Sequence, residues 1–166
     1  MIFLAKIARI ARQYDAKLIV DTSGEALKNA VEEGVYLLKP NQAELSKLSG
    51  IEVKDKETVE EAARKIVEKG KCETVVVSLG AQGAYVARRG YSEHIEAPNV
   101  EKRSTVGAGD SMVAGMVYAA ERGFDMRQIV RMGIACGSAA TMNPGPELFR
   151  KADVDRLYAE LLKKMN

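Results

Sequence analysis

The chain has 166 residues, of which 46% are hydrophobic and 29% are charged, and its formal net charge is +2. This length suits one domain with a buried core, and the composition is that of an ordinary soluble globular protein. The small net charge argues against a strongly basic nucleic-acid or membrane-surface protein, so we expect neither kind of partner. The apolar runs are also too short for a membrane-spanning helix.

Cysteine and histidine, which build most disulfides, metal sites and nucleophilic triads, are rare in this chain. Cys72 and Cys136 have no cysteine or histidine companion at metal-ligand spacing. This usage indicates a reducing compartment, and we expect a cytoplasmic protein. His94 is the only histidine and lies in a polar, strand-like stretch, so we expect it to be a solvent-exposed structural residue.

The first half of the chain alternates helical and extended patterns that end at glycine or proline. The patterns predict a helix over residues 2–14, a buried strand over 17–21, a helix over 25–33 capped by Ser23 and ended by Gly34, a strand over 36–39, and a short helix from Asn41 to Gly50. A capping box of Thr58 and Glu61 is predicted inside a strongly charged helix that ends at Gly70. This alternation is typical of an α/β protein.

The second half adds a hairpin and two longer helices. The patterns predict a core strand in "ETVVVSLG", a hairpin turning at Arg89-Gly90, helices over 108–121 and 125–142, a break over 143–146, and an amphipathic helix over 153–165. Asp125 and Gln128 form a capping pair. We therefore predict an α/β fold with a largely parallel sheet, helices on both faces and some antiparallel strands.

The stretch "STVGAGDSM" (residues 104–112) places two glycines and an aspartate where a helix is about to begin. Gly107 and Gly109 permit backbone angles that a β-carbon obstructs, and they let another molecule approach the main chain. The unpaired N–H groups at a helix start suit a phosphate or a developing anion. The same field holds Asp110 as a carboxylate, which can accept a proton from a substrate hydroxyl. Ordinary helix capping explains this motif, taken alone, about equally well.

Polar and small residues also follow two of the predicted strands. Asn41 can both cap a helix and face a phosphate, and Glu44, one turn further on, can hold Mg²⁺ through water. Ser78, Gly80 and Gly83 come at the end of the core strand, where ligands of open α/β sheets bind. The alternatives are a capping residue beside a solvated carboxylate in the first case and a simple turn in the second.

For two further stretches, a structural role is favoured over a ligand-binding role. The small residues 137–140, "GSAA", lie on one predicted helix, where either a flat ring or a neighbouring helix can approach. Close helix packing is the favoured explanation of this stretch when it is taken singly. The stretch "DTSG" (residues 21–24) is typical of a strand end followed by a helix cap.

The motifs taken together, and in this order, resemble those of the ribokinase-type (PfkB) carbohydrate kinases. The residues that carry the resemblance are "VDTSGEAL", "LLKPNQAEL", "VVVSLGAQGA", "STVGAGDSMVAGM" and "GSAATMN", which extend over nearly the whole chain. The first two of these motifs are most similar to the phosphofructokinase branch. The resemblance implies a ribokinase-like three-layer sandwich and an enzyme that transfers a phosphoryl group from ATP to a sugar phosphate, with Mg²⁺ as cofactor.

The resemblance also implies roles for individual residues. Asp110 matches the catalytic base, Gly107, Ala108 and Gly109 match the anion hole around the transferred phosphoryl group, and Glu44 matches the residue that organises Mg²⁺. The positions that match nucleotide contacts are Lys39, Asn41, Ser78, Gly80, Gly83, Thr105, Ile134 and Ser138. The positions that match a monovalent-cation loop, where K⁺ would sit on carbonyl oxygens, are Ser104, Val106, Ala140, Asn143 and Gly145.

The chain departs from the family pattern in two places. The cation loop reads "NPGPE", in which Pro144 and Pro146 stiffen the backbone and Glu147 replaces a basic residue, so dependence on K⁺ is left open. Family members also carry a substantial portion before the "VDTSG" strand, which supplies N-terminal strands, most of the sugar site, a lid and often a dimer interface. We therefore expect residues 1–166 to be the nucleotide-binding, catalytic-base portion of a single kinase domain that is truncated at its N-terminus.

The resemblance favours conversion of fructose 6-phosphate to fructose 1,6-bisphosphate. Fructose 1-phosphate and tagatose 6-phosphate are the alternative substrates. A second hypothesis is a nucleotide-binding fragment without kinase activity of its own, and a third is a piece whose exposed strand edge prevents a unique fold. The expected partner is a small-molecule sugar phosphate, and the oligomeric state is left open because full-length family members often dimerise.

Overall fold

The structure is a computed structural model that describes residues 3–165. Its helices and strands in chain order are α1 (Phe3–Gln13), β1 (Ile19–Val20), α2 (Gly24–Glu33), β2 (Val35–Leu38), α3 (Gln42–Ser49), α4 (Lys56–Glu68), β3 (Cys72–Ser78), β4 (Ala84–Arg88), β5 (Tyr91–Ile95), α5 (Ala108–Glu121), α6 (Met126–Thr141) and α7 (Lys151–Lys163). This order of elements confirms the α/β class predicted from the sequence.

The strands form one five-stranded sheet in the order β1-β2-β3-β4-β5. β1, β2 and β3 run parallel, with Leu37 opposite Thr74 in the register of the last two. β4 and β5 are joined only by Arg89 and Gly90, a connection that antiparallel strands alone can make. The sheet is therefore mixed, with a parallel part at one side and the predicted hairpin at the other.

The chain divides into two compact units. The first contains Met1–Leu79 and Tyr85–His94, and thus α1 to α4 with nearly all of the sheet. The second contains Gly80–Ala84 and Ile95–Asn166, and thus α5, α6 and α7. The expectation that residues 1–166 belong to a single kinase domain stays a prediction, because one domain can contain two compact units.

The core of the first unit lies between the sheet and its helices. Val75 and Val77 of β3 are fully buried, and Val76 between them is buried as well, so both faces of this strand are covered. Such burial explains the uninterrupted apolar run that the sequence shows in this strand. Leu45 of α3 and Ile66 of α4 complete the same apolar cluster.

The core of the second unit depends on close contact between α5 and α6. A β-carbon at Gly115 of α5 would lie 2.7 Å from Cys136 Sγ and 2.8 Å from the Met132 carbonyl oxygen. A β-carbon at Gly133 would lie 2.6 Å from Met116 Cγ. These distances are too short for any side chain, so the glycines let the two helices approach each other. Within the stretch 137–140, a β-carbon at Gly137 would lie 3.1 Å from the Ala108 carbonyl oxygen, which supports the packing explanation for that residue.

Several predicted boundaries are confirmed. α5 begins and ends where the sequence predicts, at Ala108 and Glu121, and the Asp125–Gln128 capping box of α6 is formed. Asn41 caps α3 through a capping box with Glu44. Each of these signals is local, because the capping residue and its partner lie within one turn.

Other predicted boundaries are wrong. The strand expected over 17–21 is reduced to Ile19–Val20. Ser23 and Gly34 bound α2 as predicted, although Ser23 forms no side-chain cap bond. The capping box of α4, which begins at Lys56, is formed by Asp55 and Thr58 and not by Thr58 and Glu61. α7 begins two residues before the expected start, and residue 2 of the predicted first helix lies outside the described residues. His94 is half-buried in β5, not exposed.

Among the described residues, no helix combines the length and the apolar character needed to cross a membrane.

Both cysteines are free and buried, and burial raises the pKa of each thiol. The pKa of Cys72 rises from 9.0 to about 12, although the carbonyl of Thr74 accepts a bond from its sulfur, and that of Cys136 rises to about 11. Each thiol thus holds its proton more tightly in the folded chain than in the unfolded chain. The resulting stabilisation is fully present below the unfolded pKa and is lost as the pH rises through the folded pKa.

We expect the free energy of unfolding to fall between about pH 9 and pH 12 partly through these thiols. Urea unfolding across this range, compared with the double variant Cys72→Ala/Cys136→Ala, measures their share. The variant should lose stability less steeply with pH. An equally steep fall in the variant would assign the whole effect to lysines and tyrosines.

Candidate active site

The turn before α5 has the backbone geometry of a left-handed glycine. Gly107 is the N-cap of α5 with φ 73° and ψ 1°, and no side chain caps the helix. A β-carbon on Gly107 would lie 2.8 Å from Leu148 Cδ2. The backbone angle therefore favours glycine at this position, whereas the exposed tip of Leu148 could move aside.

The first N–H groups of α5 are open at this turn. The Ser111 N–H donates to the Gly107 carbonyl at 2.9 Å, and the Ala108 N–H donates to the Thr105 carbonyl at 3.3 Å. The N–H groups of Gly109 and Asp110 have no partner within residues 3–165. Two adjacent donors at the positive end of a helix can bind an anion.

Asp110 lies in the first turn of α5, and its residue is exposed. Its carboxylate has neither an ion pair nor a hydrogen-bond partner in the described part of the chain. The side chain therefore has both oxygens available for a ligand. Since the carboxylate and the open N–H groups belong to the same turn, one ligand can contact both.

The segment before the turn is held by the end of α6. The N–H groups of Arg103 and Ser104 both donate to the Thr141 carbonyl, at 2.7 and 3.2 Å. Ser104 Oγ accepts from the Val106 N–H at 3.2 Å. A β-carbon on Gly137 would lie 3.1 Å from the Ala108 carbonyl, so α6 supports the start of α5 directly.

The loop after α6 contains the other positions of the expected cation loop. Asn143 is buried, and its amide donates to the Leu148 carbonyl at 2.8 Å and to the Ala139 carbonyl at 3.4 Å. Ala140 is buried, and its carbonyl accepts from the Asn143 N–H at 3.3 Å. Gly145 is exposed with φ 58°. The structure thus brings this loop to the same end of α6 as Ser104, while its role toward K⁺ stays a prediction.

Two expected nucleotide contacts lie on α6 and one lies in the turn. Ile134 is only 4% exposed, so little of its side chain can face a ligand. Ser138 is half-buried, and its carbonyl accepts from Thr141 Oγ1 at 2.7 Å. Thr105 is exposed beside the open turn. Of these residues, Ser138 and Thr105 are more accessible than Ile134.

A pair of oppositely charged side chains lies at the carboxyl ends of β1 and β2 in the first unit. Lys39 is only 5% exposed, and its Nζ lies 3.0 Å from Asp21 Oδ2. A nearly buried ammonium group needs such a partner, because its desolvation is otherwise unfavourable. Sequence reasoning placed Lys39 among the candidate site residues but missed Asp21. The "VDTSG" motif, in which Asp21 follows a strand, was the available signal.

We expect Asp21→Asn to destabilise the chain by about 1–3 kcal/mol, because it leaves the Lys39 ammonium buried without its carboxylate. Urea unfolding near neutral pH measures this change. The matched control is Glu25→Gln, which removes the carboxylate of the exposed Lys28 pair at 2.9 Å and should cost less than about 0.5 kcal/mol. Equal costs for the two substitutions would show that burial of Lys39 does not matter.

Asn41 and Glu44 form a reciprocal capping box just after β2. The Glu44 N–H donates to Asn41 Oδ1 and the Asn41 N–H donates to Glu44 Oε2, each at 2.9 Å. The Asn41 amide N–H₂ and Glu44 Oε1 have no partner within residues 3–165. Each side chain therefore keeps one group for a ligand. The capping alternative is thus correct for both residues and does not exclude a binding role.

Ser78 ends β3 beside this box. Its N–H donates to the Pro40 carbonyl at 2.9 Å, and it forms an isolated parallel bridge with Asn41. The first unit thus brings together Lys39, Asn41, Glu44 and Ser78 at the carboxyl ends of its parallel strands, where open α/β sheets bind ligands.

The two glycines that follow Ser78 belong to the second unit and differ in their surroundings. Gly80 is exposed with φ 60°, and a β-carbon there would meet open space. Gly83 is buried with φ 93°, and a β-carbon there would lie 2.6 Å from the Ala97 nitrogen and closer still to the Ile95 carbonyl oxygen. Gly83 is therefore required by backbone packing, whereas Gly80 is free to face a ligand.

No group of three or more His, Cys, Asp or Glu side chains in the described part of the chain forms a preassembled metal site. A metal held here would need ligands from water or from a bound phosphate in addition to one or two carboxylates. Mg²⁺ is the ion that most often binds in this way.

The family model described as "pfkB family carbohydrate kinase" matches residues 3–151. This range is most of the chain, and the chain belongs to the pfkB family of carbohydrate kinases. The resemblance inferred from the motifs is thus confirmed.

Two similar proteins are phosphofructokinases. The chain is 42% identical to the ATP-dependent 6-phosphofructokinase isozyme 2 of Escherichia coli over 159 residues. These matched residues make up 95% of this chain and 52% of that protein. It is 39% identical to the 1-phosphofructokinase of Rhodobacter capsulatus over 144 residues. These matched residues make up 87% of this chain and 45% of that protein. The chain spans about half the length of the curated relatives it matches.

The fold is also found in solved structures. The phosphofructokinase-2 of Escherichia coli in complex with potassium superposes with a TM-score of 0.91 and 42% identity, covering 96% of this chain and 52% of that one. The ribokinase of Arabidopsis thaliana, complexed with ribose and ATP, superposes with a TM-score of 0.83 at 23% identity and covers 94% of this chain and 52% of that one. The predicted ribokinase-like fold is therefore confirmed.

Proposed function

We propose that this chain contributes the nucleotide-binding and catalytic-base portion of an ATP-dependent sugar-phosphate kinase, with fructose 6-phosphate as the acceptor. The observation that carries the proposal is the uncapped start of α5, where open N–H groups and the free carboxylate of Asp110 share one turn. Membership of the pfkB family and the names of the similar phosphofructokinases support the reaction class.

Asp110 acts as the base in this proposal. Its carboxylate accepts the proton of the C1 hydroxyl while the oxygen of that hydroxyl forms a bond to the transferred phosphorus. The bond between that phosphorus and the oxygen of the departing ADP breaks in the same step. Because Asp110 is exposed and has no internal partner in the described residues, no existing ion pair must break before it accepts the proton.

The backbone of the turn stabilises the transferred group. The N–H groups of Gly109 and Asp110 donate to the oxygens of the phosphoryl group, and the dipole of α5 favours its negative charge. Gly107 gives the turn its shape, and Ala108 connects the two glycines. These donors are fixed by the helix, so they need little reorganisation during the reaction.

The first unit binds the phosphate side of the nucleotide. Lys39, oriented by Asp21, and the free amide of Asn41 contact phosphate oxygens, and Ser78 supplies a further nucleotide contact. In the second unit, taken by itself, Gly80, Thr105 and Ser138 are candidate nucleotide contacts. Bound ATP supplies the phosphoryl group, and Mg²⁺ balances the charge of its phosphates. Glu44 Oε1 is a hard oxygen without an internal partner in the described residues, which fits a water-mediated contact to that ion.

The expected cation loop supports a second proposal of narrower scope. The segment of Ser104 and Val106 is tied to the end of α6, and Ala140, Asn143 and Gly145 follow at the same end. Carbonyl oxygens of such a loop suit K⁺, and the similar Escherichia coli structure is described as a complex with potassium.

We also place the protein in the cytoplasm, because its two cysteines are free.

The test is a coupled assay of ADP release by the purified chain with Mg-ATP, in the presence and absence of fructose 6-phosphate. Release that depends on the sugar phosphate supports the kinase, and parallel assays with fructose 1-phosphate and tagatose 6-phosphate identify the preferred acceptor. Fructose 1-phosphate is the favoured alternative, because the chain is 39% identical to a 1-phosphofructokinase. ADP release that is independent of any sugar, or nucleotide binding without turnover, would support the nucleotide-binding module instead.

A further inference from the structure

A cavity of about 610 Å³ opens in the first unit, between the end of α4 and the β4–β5 hairpin. Its polar lining consists mainly of Arg64, Glu68, Arg88, Arg89, Tyr91 and Ser92. The volume falls within the range of about 300–1,000 Å³ that is usual for small-molecule sites. The cavity is therefore large enough for a ligand the size of a sugar phosphate.

The charges in the lining are mostly positive. Arg64 is paired with Glu60, whereas neither Arg88 nor Arg89 has an ion pair in the described part of the chain. Glu68 is the one carboxylate among the lining residues. Two neighbouring guanidinium groups thus line the cavity without an ion pair to any described residue, which favours an anion.

The hairpin itself does not account for these two arginines. Gly90 has φ 74°, and this backbone angle is what the two-residue turn requires. Arg88 ends β4 as its only exposed residue, and Arg89 is exposed in the turn. Neither side chain contributes to the buried face of the sheet, so their positions are set by neither packing nor turn geometry.

The cavity lies at the opposite end of the sheet from the candidate nucleotide contacts. Gly70, which is part of the lining, precedes β3, whereas Ser78 ends that strand. Because a strand rises by about 3.3 Å per residue, the length of β3 separates the two ends by roughly 20 Å. A ligand in the cavity would therefore not contact Lys39, Asn41 or Ser78.

We propose that this cavity is a second anion site, which binds a small phosphate-bearing molecule through Arg88 and Arg89. The planar guanidinium group matches two phosphate oxygens at once, and two adjacent arginines suit a ligand with two phosphoryl groups. Arg64, which is paired with Glu60 on the same helix, lines the cavity from the side of α4. The site is independent of the proposed kinase reaction, since it uses none of the same residues.

The experiment is a titration of the ¹⁵N-labelled full chain with inorganic pyrophosphate at an ionic strength of about 0.15 M, followed by amide NMR shifts. The amides of Gly70, Gly90 and Ser92 report on the cavity, and those of residues 107–110 report separately on the α5 turn. We expect a saturable shift at the cavity amides. The midpoint is the pyrophosphate concentration at which half of this shift has occurred. The double variant Arg88→Gln/Arg89→Gln should raise the midpoint at the cavity amides by about tenfold or more, while the midpoint at the α5 turn is unchanged.

The matched control is the double variant Arg9→Gln/Arg12→Gln, which removes the same charge from exposed positions on α1 of the same unit. It should change the cavity midpoint by less than about twofold. The proposal is overturned if the cavity amides show no saturable shift. It is equally overturned if both double variants weaken binding alike, because the anion would then respond to net charge alone.

Discussion

Asp110→Asn is expected to lower sugar-dependent phosphoryl transfer by about 100- to 10,000-fold, the usual contribution of a general base. The substitution removes the proton acceptor and keeps the size of the side chain. Because the residue is exposed and makes no internal ion pair in the described part of the chain, the melting temperature should hardly change. The measurement is the coupled ADP assay, carried out in the preparation that shows sugar-dependent turnover, together with thermal unfolding.

The control for this substitution is Asp155→Asn on α7. Asp155 is also an exposed aspartate, and among residues 3–165 it pairs with the exposed Lys151, at 2.6 Å. The control should keep nearly full activity, since a surface pair contributes little. If Asp110→Asn retained turnover within about tenfold of the unmodified chain, Asp110 would not be the base. Loss of nucleotide binding in this variant would likewise contradict a role confined to proton transfer.

Gly83→Ala is expected to destabilise the chain by about 3–5 kcal/mol, the range that severe backbone and packing conflicts reach. The new β-carbon would lie 2.6 Å from the Ala97 nitrogen and 2.8 Å from the Glu96 carbonyl carbon. Both atoms belong to the backbone and cannot rotate away. The φ angle of 93° adds strain for any residue other than glycine. Urea unfolding monitored by circular dichroism measures the loss.

Gly80→Ala, three residues earlier, separates the two causes of this effect. Its φ angle of 60° is also in the left-handed region, but a β-carbon there meets nothing within 4 Å. We expect a cost of about 1–2 kcal/mol, from backbone strain alone. Similar costs for the two variants would mean that the close approach of the Ile95–Ala97 backbone has no energetic consequence. Nucleotide affinity should respond to Gly80→Ala, because this glycine is the exposed one.

The parts of the structure that the sequence predicts well depend on interactions within one helical turn. The start of α5 follows from the glycines and Asp110, and the caps of α3 and α6 follow from residues three positions apart. The capping box of α4 is formed by Asp55 and Thr58 rather than by the expected Thr58 and Glu61, because Asp55 and Thr58 are both residue types that cap helices well. Local signals thus locate an element more reliably than they fix its first residue.

The parts that the sequence does not predict depend on residues distant in the chain. The pairing of Lys39 with Asp21 joins the ends of two strands, and no spacing rule connects these positions. Gly83 matched a nucleotide-binding turn, but the close backbone of residues 95–97 is what demands a glycine there. The strand expected over 17–21 pairs with β2 only at Ile19–Val20. Tertiary contacts decide each of these cases.

The glycine contacts between α5 and α6 have a mechanical consequence. Because no side chain would fit at Gly115 or Gly133, the two helices pack closely there, and close packing of this kind resists relative displacement. α5 carries Asp110 at its first turn, and α6 carries Ser138 near its end. A movement of α5 that keeps this packing would carry α6 with it, and the spacing between Asp110 and Ser138 would then be preserved.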